Sequence, residues 1–221
     1  WQLALRSRKI YGPYERRVVL AQGSTAINGP HQGAWVDTPG GESWFVHFQD
    51  QGPYGRVVHL QPMQWVDDWP VIGNHGEPVT TFRKPNVGKV YPVMTPATSD
   101  EFNDSRLGLQ WQWQANPQPA WAFPSAAYGF LRAYAIAAPD GHRNLWDVPN
   151  LLLQKFPAPR FTATLKMTLT ALTVEDRAGL VVMGTDYAAV IMKKGPNGLL
   201  LTETICNGAD QGAPEVESPP I

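Results

Sequence analysis

The sequence feature that most restricts the fold is a run of alternating side chains in FTATLKMTLTA, residues 161–171. Apolar side chains occupy every second position, and threonine or lysine occupies the positions between them. Side chains of a β-strand point to opposite faces in turn, so a period of two produces one apolar and one polar face. The run therefore predicts a strand with one buried face, which requires a sheet around it.

The composition favours strands over the rest of the chain as well. The 20 glycines and 21 prolines interrupt long helices, whereas the 9 Trp, 7 Tyr and 8 Phe are residue types that favour strands. Further strands are predicted in WQLALRSRKI at the start of the chain and at 44–48, 56–61, 110–114, 129–136, 178–184, 187–193 and 198–206. We therefore predict an all-β protein built from antiparallel sheets.

The chain is expected to have two parts, joined by the proline- and glycine-rich stretch KPNVGKVYPVMTPATS at 84–99. This stretch has no periodic pattern, which is typical of a linker. Before it, WFVHF and RVVHLQ flank a Gly/Pro turn at 51–55 and predict a hairpin, as in a propeller blade or a sandwich. We predict a first domain at 1–84, a linker at 85–98 and a β-sandwich at 99–221.

Charge and cysteine content exclude several classes of function. With 18 basic and 19 acidic side chains, the chain has no basic surplus for a nucleic-acid partner. Its single cysteine, Cys206, permits neither an intrachain disulfide nor a Cys/His zinc pattern. No apolar run is long enough for a membrane helix. Because the chain opens on Trp1 within an expected strand, we expect an upstream part to be missing, and the cellular location is left open.

Several distinctive segments resemble glycoside hydrolase family 43, of the β-xylosidase and α-L-arabinofuranosidase type. GPHQG at 29–33, HFQDQGPYGRVVHLQPM at 47–63 and WPVIGNHGEPV at 69–79 resemble the end of the family's catalytic domain. The second part, from SDEFND at 99–104 through LWDVPNLLLQKF and RAGLVVMGTDYA, resembles the concanavalin-A-like sandwich that follows it in the family's β-xylosidases. The resemblance spans nearly the whole chain in the family's order.

This resemblance implies the C-terminal strands of a five-bladed β-propeller, followed by an antiparallel sandwich that is expected to be incomplete. It also implies inverting hydrolysis of xylo- or arabino-oligosaccharides of plant hemicellulose. Inversion requires one carboxylic acid to protonate the leaving oxygen and one carboxylate to activate water. In the family these carboxylates precede the segment seen here, so we expect the chain to be a fragment that is inactive alone.

The acidic residues of the first part are the candidates to replace the missing carboxylates. Asp37 and Glu42 flank a Gly-Gly turn, and Asp67 and Asp68 lie in the WVDDWP turn, where acidic residues are common. Asp50 follows WFVHFQ at a strand end and is the one candidate near the expected site. Because catalytic carboxylates work in pairs, no residue of this chain is predicted to be catalytic.

His31 is the first of the predicted site residues. In GPHQG it matches a family histidine that faces the propeller axis, often beside a calcium ion or a central water. From the residues alone, a histidine after Gly-Pro is typical of a loop, and calcium prefers oxygen ligands. The resemblance therefore predicts that His31 binds substrate and is a candidate metal contact.

Arg56 matches the arginine that the family's GR segment directs into the substrate pocket. A guanidinium presents a planar fork of donors that suits hydroxyls or a carboxylate. The alternative is an exposed strand arginine, the usual position of this residue type. Gln49 and Phe48, just before the same turn, are predicted to contact a hydroxyl and to form a stacking wall. Phe48 is equally compatible with a core position.

Other histidines and tryptophans have structural alternatives. His47 and His59 lie on strands expected to pair, but a third metal ligand is not evident, so we predict hydrogen-bonded structural histidines. Trp111 and Trp113 are expected in the core or a domain interface. The resemblance implies that a sandwich loop can close one side of the active-site pocket, which makes Trp121 and Trp146 candidates for this role.

A second class of function remains open from the sequence alone. The chain is also compatible with a non-catalytic carbohydrate-binding or structural sandwich, because aromatic faces pack on the C–H faces of sugar rings. Two aspartates and a glutamate on earlier propeller blades would favour the glycosidase, whereas a different upstream domain would favour the binding module.

Overall fold

The protein is described here by a computed structural model that covers residues 1–174 and 176–221. Its regular elements over those residues are fourteen strands and three short 3-10 turns, which confirms the predicted all-β class. The chain divides into two compact units, Trp1–Met94 and Thr95–Ile221, and the linker predicted at 85–98 spans the division. No helix in the described part is long and apolar enough to span a bilayer.

The first unit contains a two-stranded and a four-stranded antiparallel sheet. The hairpin consists of β1 (Gln2–Arg6) and β2 (Glu15–Leu20). The larger sheet has the order β3-β4-β5-β6 and consists of β3 (Ala34–Asp37), β4 (Ser43–Asp50), β5 (Arg56–Val66) and β6 (Trp69–Ile72). Each strand of this sheet pairs with its neighbour in sequence, which makes it a meander.

The hairpin formed by β4 and β5 confirms the pairing predicted from the two strand patterns and the turn between them. Phe48 lies opposite Val58 in the register, and Asp50 lies opposite Arg56. Gly52, at the start of the connecting turn, has a φ of +56°. Glycine adopts this left-handed conformation without the steric cost that other residues bear, so the turn can be tight.

A small apolar core joins the two sheets of the first unit. Val19 and Leu20 of β2 pack with Phe45 of β4, Met63 of β5 and Ile72 of β6, and none of the five is more than 6% exposed. Burial of such a side chain stabilises the fold by about 1.5–3 kcal/mol. The core holds the β1–β2 hairpin against the face of the larger sheet that carries Phe45, Met63 and Ile72.

Gly33, the last residue of GPHQG, is expected to tolerate no side chain. A Cβ at this position would collide with the ring of Phe45 and would lie 2.5 Å from the carbonyl oxygen of Val46. We predict that Gly33→Ala lowers the free energy of unfolding by about 1–3 kcal/mol, the usual cost of overpacking a core. Chemical denaturation would measure the change, with Gly40→Ala as the control, because the nearest atom there is 3.8 Å away. Equal stability of the two variants would contradict the prediction.

The second unit contains three sheets, with the strand orders β7-β10, β8-β9 and β11-β12-β13-β14. Its strands are β7 (Gln112–Trp113), β8 (Ala122–Ser125), β9 (Phe130–Ala133), β10 (Leu152–Leu153), β11 (Arg177–Val182), β12 (Tyr187–Gly195), β13 (Gly198–Cys206) and β14 (Val216–Glu217). The predictions at 129–136, 178–184, 187–193 and 198–206 are confirmed. Only two residues of the strand predicted at 110–114 are in a strand.

The alternating run at 161–171 is not a strand, so this prediction is wrong. Phe161 and Leu165, on its apolar face, are 45% and 47% exposed. Alternation indicates which side chains share a face, but a strand also requires a neighbour that completes its backbone hydrogen bonds. No strand pairs with this run within residues 1–174 and 176–221.

Candidate functional site

The candidate site lies at the end of the β4–β5 hairpin. Successive side chains of a strand point to opposite faces, which places Phe48 and Asp50 on one face of β4 and His47 and Gln49 on the other. Arg56 begins β5 and lies opposite Asp50 in the register, so its side chain belongs to the face of Phe48. The turn between the strands thus sets Arg56 beside Phe48.

Three of the four predicted site residues come together on this face. The guanidinium carbon of Arg56 lies 4.5 Å from the centroid of the Phe48 ring. The ring of His31 meets the same phenyl ring edge-on, with 4.9 Å between centroids. Both contacts are attractive, because a cation is drawn to an aromatic face and tilted rings place a positive edge near a negative face. Phe48 is therefore the centre of the cluster.

His31 is held by its own loop. Its Nδ1 lies 2.5 Å from the carbonyl oxygen of Gly29, which can only accept a hydrogen bond. In the neutral ring Nδ1 therefore carries the proton, and Nε2 is an acceptor. The side chain of Asn28 donates to the carbonyl oxygen of Asp50 at 3.1 Å and ties the loop to the end of β4. The sequence analysis did not identify Asn28.

Gln49, the fourth predicted site residue, does not join the other three. It lies on the opposite face of β4 and is 8% exposed. Its Nε2 donates to the carbonyl oxygen of Ala26 at 2.8 Å, and its Oε1 lies 3.0 Å from Nε2 of His59. Both ends of the amide are engaged within the protein, so the structure does not favour the predicted sugar contact of Gln49.

A buried polar layer lies beside Gln49 on the same face. His47 donates from Nδ1 to the carbonyl oxygen of Phe48 at 3.1 Å, and its Nε2 lies 3.3 Å from the amide nitrogen of Gln61. Gln61 also accepts a hydrogen bond from the backbone N–H of Val79 at 2.7 Å. The prediction of structural histidines at positions 47 and 59 is confirmed. Gln61 was missed, although a polar residue in a strand otherwise expected to be buried is a signal for such a role.

Burial lowers the pKa of His47 below its usual value, an effect that the hydrogen bond to the backbone of Phe48 only partly opposes. The unfolded chain, with an ordinary histidine pKa of about 6.5, then binds a proton before the folded one does. We predict that the stability of the first unit falls as pH decreases below about 6.5, by at most about 1.4 kcal/mol per pH unit from this group. Denaturation midpoints between neutral and mildly acidic pH would show a weaker dependence in His47→Gln. An identical dependence in both proteins would contradict the assignment to His47.

Three of the acidic residues considered as replacements, Asp37, Glu42 and Asp50, have partners for their carboxylates. Asp37 accepts hydrogen bonds from a tryptophan and a serine side chain at 2.8 Å, and Glu42 forms an ion pair with an arginine. Asp50 accepts a hydrogen bond from a backbone N–H of the turn at 3.1 Å. Asp67 and Asp68 occupy left-handed positions of the turn between β5 and β6. The geometry of these residues suggests no catalytic pair.

The candidate cluster does not fit a calcium ion by itself. Calcium takes six to eight oxygen ligands, whereas His31 offers one ring nitrogen. Within the described residues, no three His, Cys, Asp or Glu side chains are grouped closely enough to hold a metal. We therefore assign no metal here, and the contact of His31 with calcium stays a prediction.

The tryptophans of the second unit differ in exposure. Trp121 is 6% exposed and packs against Trp113, with 5.4 Å between ring centroids, so it belongs to the interior of this unit rather than to a pocket wall. Trp146 is 37% exposed. Its backbone N–H donates to the side chain of Asn144, whose amide nitrogen in turn donates to the carbonyl oxygens of Ala209 and Ala213. The loop that carries Trp146 is therefore anchored to the C-terminal part of the unit.

Two family models match the chain. Residues 2–70 match the glycosyl hydrolases family 43 model, and residues 99–221, more than half of the chain, match the beta xylosidase C-terminal concanavalin A-like domain. The His31, Phe48 and Arg56 cluster lies within the first match. The two matches follow each other in the order predicted from the sequence segments.

Individual relatives extend across both units. A protein described as a putative beta-xylosidase from Xylanibacter ruminicola is 45% identical over 198 residues, covering 86% of this chain and 36% of the relative. The non-reducing end alpha-L-arabinofuranosidase BoGH43B of Bacteroides ovatus is 28% identical over 211 residues, covering 90% of this chain and 38% of that protein. The chain thus spans little more than a third of the length of these relatives.

A solved structure agrees with the fold. It is a Bacteroides eggerthii protein described as a bifunctional GH43-CE protein, with a TM-score of 0.71 and 28% identity over 99% of this chain and 27% of that one. The predicted fold, strands of a propeller followed by a sandwich, agrees with this likeness. Together with the two family models, these findings show that the chain belongs to glycosyl hydrolases family 43, joining the end of the catalytic domain to the C-terminal concanavalin A-like domain.

Proposed function

We propose that this chain is part of a glycosidase and carries one wall of its sugar-binding pocket. The whole protein is proposed to hydrolyse xylosidic or arabinofuranosidic bonds of plant hemicellulose with inversion. The observation that carries the proposal is the cluster of His31, Phe48 and Arg56, which lies at one strand end of the region matching the family's catalytic domain. The relatives described as a beta-xylosidase and an arabinofuranosidase support the substrate class.

The cluster can bind a sugar through complementary groups. The planar guanidinium of Arg56, held over Phe48, keeps its N–H donors in one plane, from which they can reach hydroxyl oxygens or a carboxylate. His31 offers Nε2 as an acceptor for a hydroxyl proton. Phe48 presents an apolar ring between them and reduces the freedom of both polar groups, so less entropy is lost when a sugar binds.

The reaction itself needs two further groups. An inverting glycosidase positions its acid and its base about 6.5–9.5 Å apart, with water between the base and the sugar. We place this pair outside the 221 residues, because the resemblance puts the family's carboxylates upstream and because Asp50, the acidic residue at this strand end, accepts a hydrogen bond from its own turn. The part of the mechanism that this chain supplies is binding and orientation.

The experiment that tests the proposal is an assay of the complete protein on an aryl β-xyloside and an aryl α-L-arabinofuranoside. We expect release of the aryl group from at least one of them, and the ratio of the two rates would define the specificity. A folded complete protein that cleaves neither glycoside would contradict the proposed function.

A further inference from the structure

The loop that carries His31 passes around the end of β4. It consists of residues 26–31, and we call it the histidine loop. Its first residue, Ala26, is bonded to Gln49 on one face of the strand. Its middle residue Asn28 is bonded to the backbone of Asp50 at the strand end. Its last residue, His31, meets Phe48 on the other face.

The anchor on the first face is the more rigid of the two hydrogen-bonded anchors. Gln49 is 8% exposed, and its amide bridges two partners that lie on either side of it. The Oε1 atom lies 3.0 Å from Nε2 of His59, and the Nε2 atom donates to Ala26 at 2.8 Å. Because His59 fixes the orientation of the amide, Gln49 presents its donor to the loop in one direction. A buried, doubly bonded amide of this kind is costly to rearrange.

Asn28 provides a weaker anchor. It is exposed, and its one bond to the carbonyl oxygen of Asp50 is 3.1 Å long. Water competes for exposed hydrogen bonds, so this bond contributes less to the position of the loop than a buried one. Ile27 and Pro30 of the histidine loop are also buried, and His31 bonds to the carbonyl oxygen of Gly29. Gln49 therefore acts together with these contacts, and with the ring contact to Phe48, in setting the position of His31.

We propose that Gln49 is a positioning residue that sets His31 against Phe48 from the opposite face of β4, and not a sugar-binding residue. The proposal rests on the proposed function insofar as His31 binds substrate. In this proposal His59 orients the amide of Gln49, and the amide holds Ala26 in place. Ala26 in turn fixes the start of the histidine loop, which ends at the imidazole of His31. It assigns His59, too, an indirect role in the candidate site.

The first test is independent of activity and uses histidine-selective isotope labelling of the complete protein. In the native protein the ring protons of His31 should show a ring-current shift from Phe48, which Phe48→Leu abolishes. We expect Gln49→Leu to move the His31 signal measurably toward its position in Phe48→Leu, but not the whole way, because the buried residues of the loop remain. Gln49→Glu should have a similar effect, because a carboxylate still accepts from His59 but cannot donate to Ala26.

The matched control is Gln61→Leu. Gln61 is also a buried glutamine on the same face of the sheet, but it bonds to Val79 rather than to the histidine loop. We expect it to leave the His31 signal unchanged. If Gln49→Leu and Gln49→Glu both keep the native His31 signal, the positioning role is overturned.

The second test separates positioning from direct sugar contact. We expect Gln49→Leu to lower kcat/KM roughly three- to tenfold, the effect of one lost hydrogen bond. In a His31→Ala background the same substitution should lower kcat/KM little further. The effects of two substitutions do not add when one residue acts through the other. Equal effects in both backgrounds would show an independent contact and overturn the proposal. A complete protein without activity on either glycoside would instead contradict the proposed function, and the His31 signal would still decide the positioning role.

Discussion

The 221-residue chain on its own is expected to show no turnover of aryl xylosides or aryl arabinofuranosides, whereas the complete protein is expected to turn over at least one of them. General acid–base catalysis typically accelerates a reaction by about 10²–10⁴-fold. Our account places both the acid and the base outside this chain, so the binding wall formed by His31, Phe48 and Arg56 cannot replace them. Release of the aryl group by the purified chain, followed by absorbance, is the measurement.

Two controls make this result interpretable. The purified chain must be shown to fold, for example by circular dichroism. The complete protein should be assayed at the same molar concentration. Turnover by the chain alone that persists through purification would contradict the account, since it would require both a catalytic acid and a catalytic base within these 221 residues.

Arg56→Ala in the complete protein is expected to lower kcat/KM by roughly ten- to a hundredfold. The basis is the loss of a charge-assisted hydrogen bond to substrate or to the acid carboxylate, which is worth about 1.5–3 kcal/mol. The unfolding midpoint should change little, because Arg56 is exposed and its contact with Phe48 is the main interaction removed. Steady-state kinetics and thermal denaturation of the same preparation would measure both.

Arg132→Ala is the matched control for Arg56. Its guanidinium stands over the ring of Phe130 at 5.2 Å, as that of Arg56 does over Phe48, but it lies in the second unit. We expect Arg132→Ala to retain kcat/KM. Arg56→Lys should recover little activity, because lysine keeps the charge but loses the planar fork of donors. Full kcat/KM in Arg56→Ala with an unchanged midpoint would show that Arg56 is a surface residue.

The sequence predicted the β4–β5 hairpin well because its information is local. The two strand patterns and the glycines of the turn lie within a short stretch, so the position of Arg56 beside the strand end follows from the pairing. Strand alternation also implies that Phe48 and Gln49 face opposite sides. The same rule places Gln49 away from Phe48 and therefore away from the other predicted sugar contacts.

The remaining features depend on parts of the chain that are distant in sequence. The contact of His31 with Phe48 was not predicted, because no local pattern relates a loop after β2 to the end of β4. The family resemblance indicated only that His31 belongs to the site. The alternating run at 161–171 failed for a related reason. Its pattern defines two faces, but a strand forms only where another segment completes the ladder, and that segment is not specified by the run itself.

The central proposal, that the complete protein is an inverting glycosidase, is tested most directly by proton NMR of the first sugar that it releases. The anomeric proton signal distinguishes the two configurations before mutarotation mixes them. The account predicts that an aryl β-xyloside first yields α-xylose, or that an aryl α-L-arabinofuranoside first yields the β-anomer. First release of sugar with the anomeric configuration of its substrate would contradict the account.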